Sequence, residues 1–572
     1  MLFNSYGFIF AFFPLVLAGL FLCRRLEGKR SPAEFETGKK KFRFGEGSLE
    51  KGYLLAVSLI FYGWRCPEYL PVLVGSMAVN YGLGWQMQNM GCDGDTQMRN
   101  PAGQAGNPKA GSGWRQSESG PDRGKKTDVR RKSLLAAGIA FNLALLCFFK
   151  YRDTGGFVPL GISFFTFTQI ACLMECYRRN LGGMGVLSYG VYVSFFPKMM
   201  QGPIALPGEF FSQADGKKRS ADWERIYRNL FLFILGLSKK ALLADTLGKA
   251  VDFGYGNLAA LNSGDALIVM LSYTLQLYFD FSGYCDMAMG IAGMMGYELP
   301  LNFDSPYKAS NILEFWKRWH ITLTGFFTKY LYIPLGGNRK GKMRTYVNCL
   351  IVFFLSGVWH GAGWQFIVWG MMHGVLFVLT RARRDVGQNA GHAARNEVRR
   401  DAGRETGDGR KSNVPSAEAG SAEDNTPDAR TERRGVRGWL AHALCVLATF
   451  LYVNIAWIFF RAPSVKEAVA LIKNIAGFSF GRINWELAGC FNLDEFWYVI
   501  KVLRIDSWQY AHYILMVLFL TAVLLLVFFA KTAVRAAREV KPGVVSSFIM
   551  AVLFVWSVIS FSGVSTFLYV NF

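Results

Sequence analysis

Apolar residues in this chain gather in long runs instead of alternating or recurring at amphipathic spacing. About twenty apolar residues are enough to cross a hydrocarbon core of about 30 Å as a helix. Candidate spans fall at 5–23, 52–64 with 68–88 as a hairpin, 134–150, 157–177, 186–204, 264–293, 345–359, 364–380, 439–460, 509–530 and 545–570. A further run at 226–247 carries Lys239 and Lys240 in its interior, where a charge at mid-bilayer costs at least about 2.5–3.5 kcal/mol. The pattern predicts an all-α polytopic membrane protein of about eleven or twelve transmembrane helices, in a single domain over 1–572. The first run lacks a basic segment before it and a small-residue cleavage site, so it reads as a retained span.

Three stretches break the pattern. Residues 91–131 are rich in Gly, Pro and charge, and residues 382–437 contain no aromatic, Leu, Ile or Met. Neither buries enough surface to offset its ordering entropy, so both read as disordered cytoplasmic insertions between spans. The third stretch, 311–330, is amphipathic. Its apolar residues fall at 312, 315, 316, 319, 323, 326, 327 and 330, the i+3/i+4 spacing of one helix face. Asn311 followed by Glu314 resembles a capping box. This predicts a helix lying at the cytoplasmic interface or sloping into the protein.

Composition supports the membrane reading. Of 572 residues, 52% are hydrophobic and 15% aromatic. The formal charge of +22 resides mainly in loops at 24–51, 115–132, 381–437 and 531–541. Basic loops normally stay cytoplasmic, which places both termini outside. Their partner is the lipid bilayer. No aromatic-interleaved basic patch of the kind that reads bases is present, which argues against nucleic acid. Ten cysteines lie mostly in apolar runs with no CxxC spacing, and Cys172 and Cys176 have no nearby His or Asp. No metal site is expected.

Candidate chemistry centres on "FLSGVWHGAGWQFIVWG", residues 354–370, where His360 sits in an oily stretch. An ionisable group in a membrane span is a functional candidate by default; the alternative is a neutral histidine bonded to a backbone carbonyl. Gly361 and Gly363 permit close approach to the backbone, and Trp359 and Trp364 offer flat walls. His320, in "EFWKRWH", is either an interfacial polar residue or the second half of a site built from two helices. One imidazole would act as general base, and the other would orient an acyl carbonyl or stabilise developing charge. His373 reads as a packing residue with a local hydrogen bond. Asp280 and Asp286, in "LYFDFSGYCDMAMG", are either paired structural carboxylates or lining of a wet cavity. "GGNRKGK" at 336–342 nearly matches a phosphate-binding loop, but Met343 stands where Ser or Thr is required. There is no GxSxG and no HExxH.

These residues carry a resemblance. "YFDFSGYCDMAMGIAGMMGYELPLNFDSPYKASNILEFWKRWHITLTGFFTKYLYIPLGGNRKG" followed by "LSGVWHGAGWQFIVWGMMHG" resembles the membrane-bound O-acyltransferase family, in particular its alginate O-acetyltransferase membrane-subunit branch. "LIFYGWRCPEYL", "VPLGISFFTFTQI", "FFPKMMQGPI" and "STFLYVNF" match further pieces of that pattern.

The resemblance implies acyl transfer onto a hydroxyl or amine within the membrane, through a central funnel ringed by transmembrane and interfacial helices. It makes His360 the catalytic residue and His320 the second signature residue. Asp280, Trp316, Trp319, Trp359 and Gly361 are the matching candidates for the substrate tunnel. It implies no tightly bound cofactor, a cytoplasmic acetyl thioester such as acetyl-CoA as donor, an extracytoplasmic acyltransferase as partner and a cell-surface polysaccharide as acceptor. Two alternatives stay open: a D-alanyl transferase of the teichoic-acid type fed by a carrier protein, and a polysaccharide export or transport subunit without chemistry of its own.

Overall fold

The computed structural model describes residues 1–29, 47–64, 66–90, 121–152, 158–216, 222–405, 436–493, 495, 497–504, 508, 510–561 and 567–568. Among them the regular structure is helical, with no strand. In chain order the helices are α1 (Phe13–Lys29), α2 (Ser48–Gly63), α3 (Leu70–Asn89), α4 (Pro121–Tyr151), α5 (Ile162–Tyr177), α6 (Val186–Ser194), α7 (Phe196–Met199), α8 (Pro207–Ala214), α9 (Trp223–Ser238), α10 (Asp245–Gly256), α11 (Ser263–Met294), α12 (Ile312–Arg318), α13 (Ile321–Phe327), α14 (Lys342–His360), α15 (Trp364–Glu405), α16 (Val436–Arg461) and α17 (Val465–Ala476). Among the later helices are the long apolar Ala511–Phe529 and the shorter apolar Val544–Ile559.

Among the described residues five helical stretches are long and apolar enough to cross a membrane: Gly7–Gly28, Thr127–Tyr151, Trp364–Asn389, Val436–Arg461 and Ala511–Phe529. Several other predicted spans are shorter or interrupted. The run at 186–204 is divided between α6 and α7, where Pro197 follows a non-helical Phe195 and Gly202–Pro203 prevent continuation. Broken helices at membrane depth persist where protein surrounds them in place of lipid, and the whole of 188–205 is buried. The two insertions read as disordered are partly helical. Residues 121–131 open α4 and 382–405 extend α15, the latter because its Ala, Arg and Glu are strong helix formers. Residues 91–120 and 406–435 lie outside the described residues.

The centre of the molecule is α11, buried along almost its whole length and started by a full capping box between Asn262 and Asp265. Helix α9 lies against it in backbone contact. A Cβ on Gly236 would sit 2.6 Å from the Gly283 carbonyl oxygen, and one on Gly283 would sit 2.8 Å from that of Gly236. Small residues give membrane helices this close approach. From its C-terminal end the chain continues as a π-helical segment, Lys239–Ala244, into α10. The two lysines that made 226–247 an expensive span are each paired to α11: Lys239 Nζ lies 2.6 Å from Asp286, and Lys240 Nζ lies 2.8 Å from both Asp280 and Asp245. The second oxygen of Asp280 accepts the Leu568 N–H at 3.0 Å.

The helix predicted over 311–330 is two helices. Asn311 caps α12 by accepting the Glu314 N–H at 3.0 Å. Glu314 turns to Ser310 and Arg318, so only half of the capping box forms. Burial pushes the Glu314 carboxyl up, but those bonds outweigh it and hold it below the usual carboxylate range. The break falls at Trp319–His320, where His320 adopts left-handed backbone (φ 46°, ψ 51°) and starts α13.

Helices α14 and α15 form a hairpin through "GAG". A Cβ on Gly357 would sit 2.5 Å from the Phe366 carbonyl oxygen, and one on Gly370 would sit 2.5 Å from that of Phe353. Gly357→Val is expected to cost about 1–3 kcal/mol and to lower the thermal midpoint of the solubilised protein; a wild-type midpoint contradicts the close crossing. Lys240→Met leaves Asp280 with a single backbone donor. It is expected to cost about 3–5 kcal/mol, with much of the loss recovered when Asp280→Leu is added. A single variant that melts with wild type contradicts the pairing.

Candidate active site

His360 ends α14 and is 3% exposed. Its ring meets Trp359 at 4.5 Å between centroids, Phe460 at 4.9 Å and Trp369 at 5.0 Å. The glycine crossing explains the placement, because it brings the start of α15 under the last turn of α14. Gly361 has no room for a side chain, since a Cβ there would lie 2.2 Å from the Phe366 ring.

The end of α14 is held from a neighbouring helix. Lys150 Nζ donates to the Trp359 carbonyl and Tyr151 Oη to the Val358 carbonyl. Both acceptors are terminal carbonyls that a helix leaves open. A cation there also complements the helix dipole. The same ammonium lies 5.3 Å from the Trp359 ring centroid, and Trp359 packs on Phe167 at 5.2 Å.

His320 is 1% exposed. Its ring meets Phe281 of α11 edge-on at 4.8 Å. Its Nδ1 lies 3.1 Å from Asn302 Oδ1. That oxygen also accepts the Thr322 N–H at 3.2 Å and the Thr322 hydroxyl at 2.9 Å. The backbone N–H fixes which end of Asn302 faces His320, so Nδ1 carries the proton and donates. In the neutral ring Nε2 then bears the lone pair. Nε2 is buried and has no partner among the described residues.

The other sequence candidates divide. Trp316 and Trp319 are buried, and Trp319 reaches Trp457 of α16 at 5.0 Å. Through Trp457, Trp369 and Phe460 an aromatic bridge joins the His320 turn to His360. Asp280 is occupied by Lys240 and Leu568, while its neighbour Phe281 faces His320. Asp286 is likewise taken by Lys239. His373 is fully buried and stacks in an aromatic shell without the local hydrogen bond expected of it.

Residues 336–342 form turns leading into α14 and lack a strand–loop–helix frame. Cys172 Sγ lies 3.5 Å from Met184 Sδ, and the described residues contain no cluster of His, Cys, Asp or Glu suited to a metal ion. Sequence reasoning missed Asn302, Lys150, Trp369 and Trp457. Asn302 and Trp369 lie inside the quoted signature stretches, but nothing in their spacing marked them.

Residues 130–386, which include both histidines, match the membrane-bound O-acyltransferase family. The chain is 32% identical over 519 residues to the peptidoglycan O-acetyltransferase of Helicobacter pylori, covering 83% of this chain and 80% of that protein. It is 29% identical over 509 residues to the "Probable alginate O-acetylase AlgI" of Pseudomonas aeruginosa, covering 85% and 76%. A shorter likeness, 32% over 232 residues, covers 38% of this chain and 57% of the teichoic acid D-alanyltransferase of Bacillus subtilis. With its helical membrane architecture, its two buried signature histidines and this extent of likeness, the chain belongs to the membrane-bound O-acyltransferase family and is a multi-pass membrane acyltransferase.

Proposed function

We propose that this acyltransferase moves acetyl groups from a cytoplasmic thioester, acetyl-CoA, toward hydroxyls of a cell-surface polysaccharide. It does so directly or through an extracytoplasmic acyltransferase partner. It sits in the bacterial cytoplasmic membrane with its N-terminus outside, the orientation that its basic loops favour. The observation that carries the reading is the burial of His320 and His360 at the two ends of one aromatic bridge through Trp319, Trp457 and Trp369. Support for acetyl and polysaccharide comes from the names of the relatives that align along about four-fifths of the chain.

In the mechanism, His360 takes the proton of the acceptor hydroxyl as its oxygen attacks the thioester carbon. The carbon–sulfur bond then breaks, the proton passes to the leaving thiolate, and an ester and a thiol depart. His320, with its Nδ1 proton committed to Asn302, offers Nε2 as an acceptor for a neighbouring hydroxyl of the acceptor and so orients the one that attacks. In that tautomer it has no proton for an oxyanion, so the carbonyl-stabilising role expected of it from sequence passes to another donor. Burial keeps water from hydrolysing the thioester.

A second reading, D-alanyl transfer from a carrier protein, rests on the shorter likeness. Dependence of transfer on a carrier separates the two.

The test is transfer of labelled acetyl from acetyl-CoA to polysaccharide in isolated membranes. His360→Ala is expected to lose about 100-fold or more. His320→Ala should lose activity strongly, and Asn302→Leu less so, because it removes only the group that sets the tautomer. Transfer at the wild-type rate in folded His360→Ala contradicts the mechanism and favours a transport role.

A further inference from the structure

Three tryptophans from three helices surround His373. Their ring centroids lie 5.1 Å (Trp316 of α12), 5.2 Å (Trp369 of α15) and 5.9 Å (Trp457 of α16) from its own. They also touch each other, Trp316 to Trp369 at 6.0 Å and Trp369 to Trp457 at 5.6 Å. All four side chains are more than nine-tenths buried. None of the three indole N–H groups and neither nitrogen of His373 has a hydrogen-bond partner among the described residues. Asn454, one turn before Trp457, donates to the Phe450 carbonyl and leaves its own Oδ1 without a donor.

Buried tryptophan N–H groups nearly always find an acceptor, and one orphaned donor is already costly. Here several share one cluster, and the cluster has a direction. A neutral imidazole adds one donor and one acceptor to the three indoles. The cluster therefore offers four donors against one acceptor. That balance fits a ligand rich in carbonyl oxygens and poor in hydroxyls. A thioester end with its amide-containing arm meets this description, and a polyol acceptor does not. The position fits as well. Trp369 is in ring contact with His360, and Trp457 with Trp319 beside His320.

We propose that this Trp–His cluster receives the acyl end of the donor thioester, with the Trp369 indole N–H bonded to the carbonyl oxygen that gains charge during transfer. The inference rests on the acyltransfer reading above. The N–H neither gives nor takes the proton; it holds the oxygen while the hydroxyl proton moves to His360 and then to the departing sulfur. Trp316, Trp457 and His373 hold the remainder of the donor's carbonyl end.

The test compares wild type, His360→Ala, Trp369→Phe and Trp316→Phe in membrane vesicles, with labelled acetyl-CoA as donor. Phenylalanine keeps most of the ring packing and removes only the donor group. Trp369→Phe is expected to lower kcat by about 100-fold while changing the KM for acetyl-CoA by about threefold at most. Competition with S-ethyl-CoA, which lacks the carbonyl, gives a second readout. Wild type should prefer acetyl-CoA by up to about threefold, matching that KM change, and Trp369→Phe should lose that preference. If Trp369→Phe fails to fold, the same preference is read in Trp316→Phe, where it should weaken.

Wild-type kcat, or an undiminished preference for the carbonyl, in the folded variant overturns the inference. If wild type is active and His360→Ala is not, the reading of the enzyme survives that result. If wild type transfers nothing from acetyl-CoA, the reading itself fails and the inference fails with it.

Discussion

Inside a membrane, every polar group that a helix carries has to be satisfied by protein or by ligand, since lipid offers nothing. Much of this molecule's arrangement follows from that constraint. Lys239 and Lys240 enter the interior only because α11 presents Asp286 and Asp280 at matching heights. The end of α14 projects its last carbonyls only because Lys150 and Tyr151 reach them from α4. His320 breaks an otherwise regular amphipathic helix, and Asn302 absorbs the result by accepting from His320 and from both donors of Thr322. Left-handed backbone in a non-glycine residue persists where the surroundings over-determine it, commonly at functional sites.

Close packing then turns satisfied helices into a site. Gly236 and Gly283 bring α9 onto α11, and Gly357 and Gly370 bring α14 onto α15. The second crossing positions His360. It sets His360 against Trp369 and leaves no volume around Gly361, so the histidine ring is held by aromatic faces on several sides. Both imidazoles are thereby buried among aromatic faces, where hydrogen bonds count for more than they would in water.

The all-α membrane architecture was legible from the apolar runs, and His360 stood out as an ionisable residue in an oily stretch, whereas His320, at the edge of an amphipathic stripe, read by itself as an interfacial polar residue. The length of individual spans was not legible. Residues 186–204 read as one helix by hydropathy, yet Pro197 and the Gly202–Pro203 pair divide them. The amphipathic spacing across 311–330 is real but is shared by two helices, because a backbone reversal at His320 leaves the side-chain period nearly unchanged. Asn302 could not be picked out, since its role depends on a contact across a turn that periodicity does not encode. Trp369 and Trp457 looked like ordinary packing residues; only the absence of acceptors around their N–H groups distinguishes them.

The central claim is that acyl transfer takes place between His320 and His360. The most direct measurement is an electron-cryomicroscopy structure of the wild-type protein with the non-transferable ketone analogue of acetyl-CoA. The account predicts the ketone carbonyl between these two histidines, with the nucleotide end leading to the face that carries the basic loops. An analogue bound with its carbonyl away from both histidines, and both still sealed behind their aromatic neighbours, would contradict it.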